Sequence, residues 1–192
     1  MRFLCSFLVL FFIVQLSWCQ YQNNDTIISF SLKDVSTNIA FELNEVEEDF
    51  VLLIFVSNHC PFVDQYISRI KLIDSMYSDV KVVLVNAFLD IHVLENQENM
   101  VAFLQKNNLE MVYVKDYNRE LLLGFEVEKA PEVYLLAKVN HVFRLVYKGA
   151  IDDSPQTARD VKNQYLKNAI EVSRNNVDKS NSGTRSIGCR IK

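Results

Sequence analysis

A cysteine directly before a proline carries most of the chemistry that this sequence offers. Cys60 stands in the segment Ser57-Asn58-His59-Cys60-Pro61. Proline has no N–H to leave unsatisfied in a first helical turn, and its φ is already helical. A helix is therefore expected to open at Pro61, with Cys60 near its N-cap. Free backbone N–H groups and the positive end of the helix dipole favour a thiolate there. The thiolate is the nucleophile of disulfide exchange and peroxide reduction, and such positions lower a thiol pKa by about one unit or more. His59 assists if it turns toward the sulfur. Two other readings stand beside this one: a small buried cysteine that only packs, and a structural disulfide with Cys189. That disulfide would close a loop of about 130 residues and stabilise the fold by about 4 to 5 kcal/mol on the chain-entropy model.

Pairing is favoured by where the chain is expected to go. Arg2, an apolar run over residues 3–14 and small side chains at Ser17 and Cys19 describe a secretory signal peptide over residues 1–19. A retained membrane anchor competes with it, but the run is shorter than the roughly 20 residues a span prefers. A lipoprotein site at Leu16-Ser17-Trp18-Cys19 is a third reading, against which the bulk of Trp18 stands. Cleavage after Cys19 removes two of the 4 cysteines, Cys5 and Cys19, and leaves Cys60 and Cys189. A secreted or extracytoplasmic location is oxidising, where thiols tend to pair. Asn24-Asp25-Thr26 forms a glycosylation sequon.

The elements that must position Cys60 follow from the hydrophobic pattern. Phe50-Val51-Leu52-Leu53-Ile54-Phe55-Val56 is a continuous apolar run, the mark of a strand buried on both faces of a parallel sheet. After Pro61 the period becomes helical, with Phe62, Tyr66, Ile70, Ile73 and Tyr77 on one face. Residues 27–43 read as two short strands around a turn near Ser36-Thr37-Asn38. Strands are expected at 80–87, 111–114, 133–137 and 141–147, the last two joined as a hairpin through Lys138-Val139-Asn140. Helices are expected at 96–106, at 119–123 with Gly124 as its stop, and from Ser154-Pro155 to about residue 170. The order gives an α/β fold with a mixed central sheet flanked by helices. It divides into a leader (1–19), one domain (20–172) and a polar tail (173–192), expected to be mobile, that carries Cys189.

Composition and the remaining constellations exclude more than they offer. A net charge of −4 argues against an electrostatic grip on nucleic acid. No phosphate-binding glycine loop exists among 4 glycines, and no cofactor is expected. His59, His92 and His141 with Cys60 lack metal-site spacing, so a zinc site is disfavoured. Asp152-Asp153 is read as helix-start electrostatics ahead of Ser154-Pro155 rather than as a catalytic pair. Glu45-Glu47-Glu48-Asp49 is read as a solvated loop.

Four segments in order resemble the peroxiredoxin-like group of the thioredoxin superfamily, the redoxin or AhpC/TSA relatives. They are Val56-Ser57-Asn58-His59-Cys60-Pro61-Phe62-Val63, Lys129-Ala130-Pro131-Glu132-Val133-Tyr134, Tyr147-Lys148-Gly149-Ala150-Ile151-Asp152-Asp153 and Gly188-Cys189-Arg190-Ile191-Lys192. The resemblance implies a thioredoxin-like fold, with Cys60 in the peroxidatic position of a CxxC-derived motif. It implies that Pro131 is a cis-proline facing Cys60, with Ala130 offering backbone groups to a bound peptide or mixed disulfide. The sequence departs from the pattern at Ser57, where many relatives hold the first cysteine. Ser57 resembles instead the hydroxyl residue that hydrogen-bonds peroxide in true peroxiredoxins. The peroxiredoxin arginine has no matching motif here; Arg119 and Arg144 are the ones available. The function implied is a thiol-dependent oxidoreductase. Cys60 would attack peroxide or a partner disulfide, Cys189 would resolve the intermediate, and a thiol reductant would reset the pair. His59, Pro61, Ala130 and Pro131 would contact the substrate. The competing function is a non-catalytic binding module locked by a structural bridge.

Overall fold

The computed structural model describes residues 20–89, 93–177 and 183–191. The leader, Cys5, Cys19 and His92 lie outside the described residues. A short antiparallel pair, β1 (Ser31–Lys33) and β2 (Ala40–Glu42), precedes the central sheet. The sheet contains β3 (Phe50–Phe55), β4 (Val80–Asn86), β5 (Val112–Lys115), β7 (Glu132–Val139) and β8 (Val142–Gly149) in the spatial order β5-β4-β3-β7-β8. β3 pairs in parallel with β4 and antiparallel with β7. The sheet is therefore mixed, and every residue of its central strand is buried. An apolar run without alternation is what a strand covered on both faces requires.

Helix α1 (Pro61–Met76) follows β3, and α2 (Gln97–Asn107) follows β4, as the sequence pattern leads one to expect. The Asn96 side chain accepts from the Asn99 N–H and caps α2, while Asn108 closes it in the left-handed region. Between β5 and β7 come α3 (Glu120–Phe125) and the two-residue β6 (Lys129–Ala130); α4 (Tyr165–Asn175) follows the β7–β8 hairpin. The hairpin turns through Asn140 and His141, both at positive φ, which is the backbone that a tight two-residue turn demands.

Three local expectations are corrected. Gly124 lies inside α3 instead of stopping it; the helix runs to Phe125 and is capped two residues after Gly124, at Glu126 in the left-handed region. Its start is fixed by Asp116, whose two carboxylate oxygens accept the Glu120 and Leu122 N–H groups. The last helix does not begin at Ser154-Pro155. Ser154 Oγ donates to the Thr157 carbonyl and holds a turn, a 3₁₀ segment follows at Ala158–Asp160, and α4 starts only at Tyr165. The Asp152-Asp153 pair has no helix to start. Asp152 is buried and ion-paired with Arg69 of α1, and Asp153 holds Lys162 N and Asn163 Nδ2.

Residues 183–191, assigned from sequence to a mobile tail, run back along the domain. Thr184 N donates to the Lys148 carbonyl, and Thr184 Oγ1 accepts from Ala150 N. Gly149 (φ +141) accommodates this crossing, because a Cβ there would meet Thr184 O at 2.3 Å. Farther on, β9 (Cys189–Arg190) pairs antiparallel with β6, and Ile191 is buried against the core.

Candidate active site

β3 ends at Phe55, and the chain turns through Ser57-Asn58-His59 into α1, whose N-cap is Cys60 and whose first residue is Pro61. This is the junction that the Cys-Pro step forecasts. Cys60 is 2% exposed. Its sulfur is bonded to that of Cys189, half-buried in β9, across a sequence separation of 129. In register, Cys189 faces Ala130, and the Ala130–Pro131 bond is cis. Cys60 Sγ lies 3.2 Å from the Ala130 carbonyl oxygen. A disulfide sulfur has no proton to donate, so in this state the approach is a contact. Reduced, the thiol would have that carbonyl as an acceptor. The fold thus brings Cys60, Cys189, Ala130 and Pro131 to one place.

Gly188 is required by the closeness of the two backbones. A Cβ on it would sit 2.2 Å from the Ala130 carbonyl oxygen and 2.6 Å from the carbonyl carbon. The segment is held beyond its disulfide as well. Ile191 N donates to the Glu128 carbonyl at 3.0 Å, Lys129 Nζ to the Ser186 carbonyl at 3.0 Å, and Ser186 Oγ to Glu132 Oε1 at 3.0 Å.

The Ser57 hydroxyl is engaged with residues other than the bridge: it donates to Glu95 Oε1 at 2.5 Å and accepts the His59 N–H at 3.2 Å. The His59 side chain is exposed. Glu95, 4% exposed, is the hub of a buried network under the turn. Its Oε2 accepts the Asn58 N–H at 3.1 Å and Asn86 Nδ2 at 2.6 Å. Asn86 Nδ2 also donates to the Tyr113 hydroxyl at 3.2 Å, which in turn donates to Asn58 Oδ1 at 2.8 Å. Lys115 Nζ donates to Asn86 Oδ1 and to the Glu95 carbonyl. Burial pushes the Tyr113 hydroxyl pKa well up, so it stays protonated and able to donate. Each of these groups finds a partner, which is what makes a buried polar cluster tolerable and rigid.

Sequence reasoning missed Glu95, Asn86, Tyr113 and Lys115. It also missed the Arg69–Asp152 pair, in which Arg69 Nη1 lies 2.7 Å from both carboxylate oxygens and 2.7 Å from the Ser154 carbonyl. Tyr66 adds its hydroxyl to Asp152 at 3.2 Å. Of the arginines considered from sequence, Arg119 stands at the N-cap position of α3, in the left-handed region and without a capping side-chain hydrogen bond, and Arg144 lies in β8. His141 sits in the hairpin turn, and among the described residues no three metal-ligating side chains cluster.

Neither a protein-family model nor a curated protein matches the chain. Solved structures do. A hypothetical protein of Sinorhizobium meliloti is 25% identical, with a TM-score of 0.78 over 90% of this chain and 95% of its own. An uncharacterized conserved protein of Geobacillus kaustophilus is 23% identical, with a TM-score of 0.77 over 90% and 93%. A candidate thiol:disulfide interchange protein, DsbE, of Chlorobium tepidum is 16% identical, with a TM-score of 0.62 over 80% and 99%. The fold is thioredoxin-like: a mixed sheet flanked by helices, with a cysteine at the N-cap of the helix after the central strand.

Proposed function

We infer that the protein is a thiol–disulfide oxidoreductase that works outside the cytoplasm, with Cys60 as the attacking thiol and Cys189 as the resolving one. The observation that carries this reading is the Cys60–Cys189 bridge itself, at the N-cap of α1 and against Ala130-Pro131. Likeness in fold to the Chlorobium protein supports it. In the reduced state the Cys60 thiolate, favoured by the helix N-terminus, attacks a sulfur of a partner disulfide. A mixed disulfide forms and the partner's other sulfur leaves as a thiolate. Cys189 then attacks Cys60 Sγ, the partner departs as a dithiol, and the bridge is restored. An external dithiol supplies the two electrons that reopen it. Leu94, whose carbonyl accepts from Asn58 Nδ2, and Ile187, two residues before Cys189, are 51% and 53% exposed. Export rests on the leader read from residues 1–19.

Peroxide is the alternative electrophile for the same thiolate. The Ser57 hydroxyl proton already goes to Glu95, so a peroxide would rely on Cys60 and the helix N-terminus, with Ser57 contributing through its remaining lone pair. The competing reading is a binding module with a structural bridge, favoured by the burial of Cys60 and by the serine at position 57.

Alkylation and turnover distinguish these readings. After mild reduction, Cys60 should react with iodoacetamide faster than a free cysteine at pH 7. Cys60→Ser should abolish disulfide reductase activity, and Cys189→Ser should accumulate mixed disulfides. A bridge that resists reduction to potentials below about −300 mV is structural, and that result would end the catalytic reading. Consumption of hydrogen peroxide by the reduced protein, lost in Cys60→Ser, tests the peroxide branch.

A further inference from the structure

The segment that carries Cys189 does more than deliver a sulfur. It lies on the strip Glu128–Pro131 as an extended chain, and the contacts are mostly of kinds that any peptide could repeat. Ala130 faces Cys189 and Lys129 faces Arg190 in an antiparallel ladder, with Ile191 N closing on the Glu128 carbonyl. Arg190 is exposed and imposes nothing. Upstream, Ser186 is buried and donates to Glu132 Oε1; among the four residues Gly188 to Ile191, two positions impose something. The place before the cysteine has no room for a Cβ, which would fall 2.2 Å from the Ala130 carbonyl oxygen. The place two after it drops an aliphatic side chain, 9% exposed, into the core.

The resemblance already places a bound peptide at Ala130-Pro131; we propose that the strip selects an extended Gly-Cys-x-aliphatic segment, and that the chain's own Gly188-Cys189-Arg190-Ile191 is its resident occupant. The proposal rests on the thiol–disulfide reading and names its substrate class. Strand addition to an open edge supplies affinity through main-chain hydrogen bonds, while pockets for particular side chains supply choice. Reduction of Cys60–Cys189 leaves the segment on the strip only through its ladder and hydrogen bonds, which a client can displace. A client bearing the motif then pairs with Lys129–Ala130 and presents its disulfide sulfur to Cys60. The Cys60 thiolate bonds to that sulfur, and the client's second sulfur departs as a thiolate, protonated by water. Return of the segment brings Cys189 onto Cys60 Sγ, and the client cysteine leaves with the electron pair. Because segment and client use one strip, bridge closure and client release are the same event.

The experiment uses the full chain carrying Cys189→Ser, which keeps Cys60 free, and synthetic peptides whose cysteine is disulfide-bonded to thionitrobenzoate. Release of the coloured thiolate gives the exchange rate. The peptide Ser-Ile-Gly-Cys-Arg-Ile should react about tenfold or more faster than its Gly→Ala analogue, since an added Cβ cannot be packed there. It should also outpace the analogue ending in Asn. The free aromatic disulfide dithionitrobenzoate, which needs no strip, sets the baseline. Equal rates for the glycine and alanine peptides, with a reactive baseline, overturn the strip while leaving the thiol chemistry intact. An unreactive baseline removes both. A second measurement avoids the cysteine variant. In a glutathione redox buffer, Gly188→Ala should shift the Cys60–Cys189 equilibrium about tenfold or more toward the dithiol; an unchanged equilibrium overturns the proposal.

Discussion

Two buried carboxylates define what single residues contribute. Asp152 answers Arg69, Tyr66 and its own Ser154 N–H, so it locks α1 to the segment after β8. Removing one member of a buried ion pair leaves the other charged and uncompensated, at a cost of about 3 to 5 kcal/mol. Asp152→Ala should lose that much in urea unfolding, and Asp153→Ala, at a more open carboxylate, much less. Glu95 accepts three hydrogen bonds. Glu95→Gln keeps its size but turns an NH₂ toward a donor, which should cost about 1 to 3 kcal/mol. Neither residue was legible in the sequence. Asp152 looked like a helix-start acid because Ser154-Pro155 follows it, and only the fold brings Arg69 within reach from 83 positions away. Glu95 and Ser57, 38 apart, meet only because β4 lies beside β3. The place of Cys60 at the α1 N-cap was legible because its determinants are local: an apolar strand before it and a proline after it decide where it sits.

At the scale of elements, most of the sheet could be read in advance. Strands buried on both faces announce themselves by unbroken apolar runs, and α1 by its period of 3.6. Ends were harder, because they depend on partners distant in sequence. Asp116 caps α3 from within the loop before it, and Asp79 holds the far end of α4. The Arg174 Nε donates to Asp79 Oδ2 at 2.9 Å, and this guanidinium holds the Asp79 carboxyl below the usual aspartate range. A carboxyl whose folded pKa is depressed stabilises the fold above its unfolded value, and that contribution fades as pH falls through the folded one. Arg174→Ala should therefore flatten the acid limb of stability against pH below about 4. Near neutrality it should cost less than about 1 kcal/mol, since the pair is partly exposed and salt screens it.

For the whole molecule, the bridge joins the middle of the chain to its C-terminal segment across 129 positions. Loop-closure entropy for that span amounts to about 4 to 5 kcal/mol. Urea unfolding with and without a dithiol should differ by up to that amount, and Cys189→Ser should match the reduced wild type. The polar composition after residue 173 hid this arrangement, since Gly188-Cys189-Arg190-Ile191 is too short to signal a strand by periodicity. Thr184 adds a further consequence. Its hydroxyl meets Tyr147 and Ala150 N by contacts that owe nothing to sulfur, so cutting the bridge leaves the segment moored there. Only four residues separate Thr184 from Cys189, a leash of about 18 Å at full stretch. The loosened sulfur then patrols a small volume, at an effective concentration in roughly the millimolar range. Reclosure should follow first-order kinetics whatever the protein concentration, and Thr184→Ala should slow it by lengthening the tether.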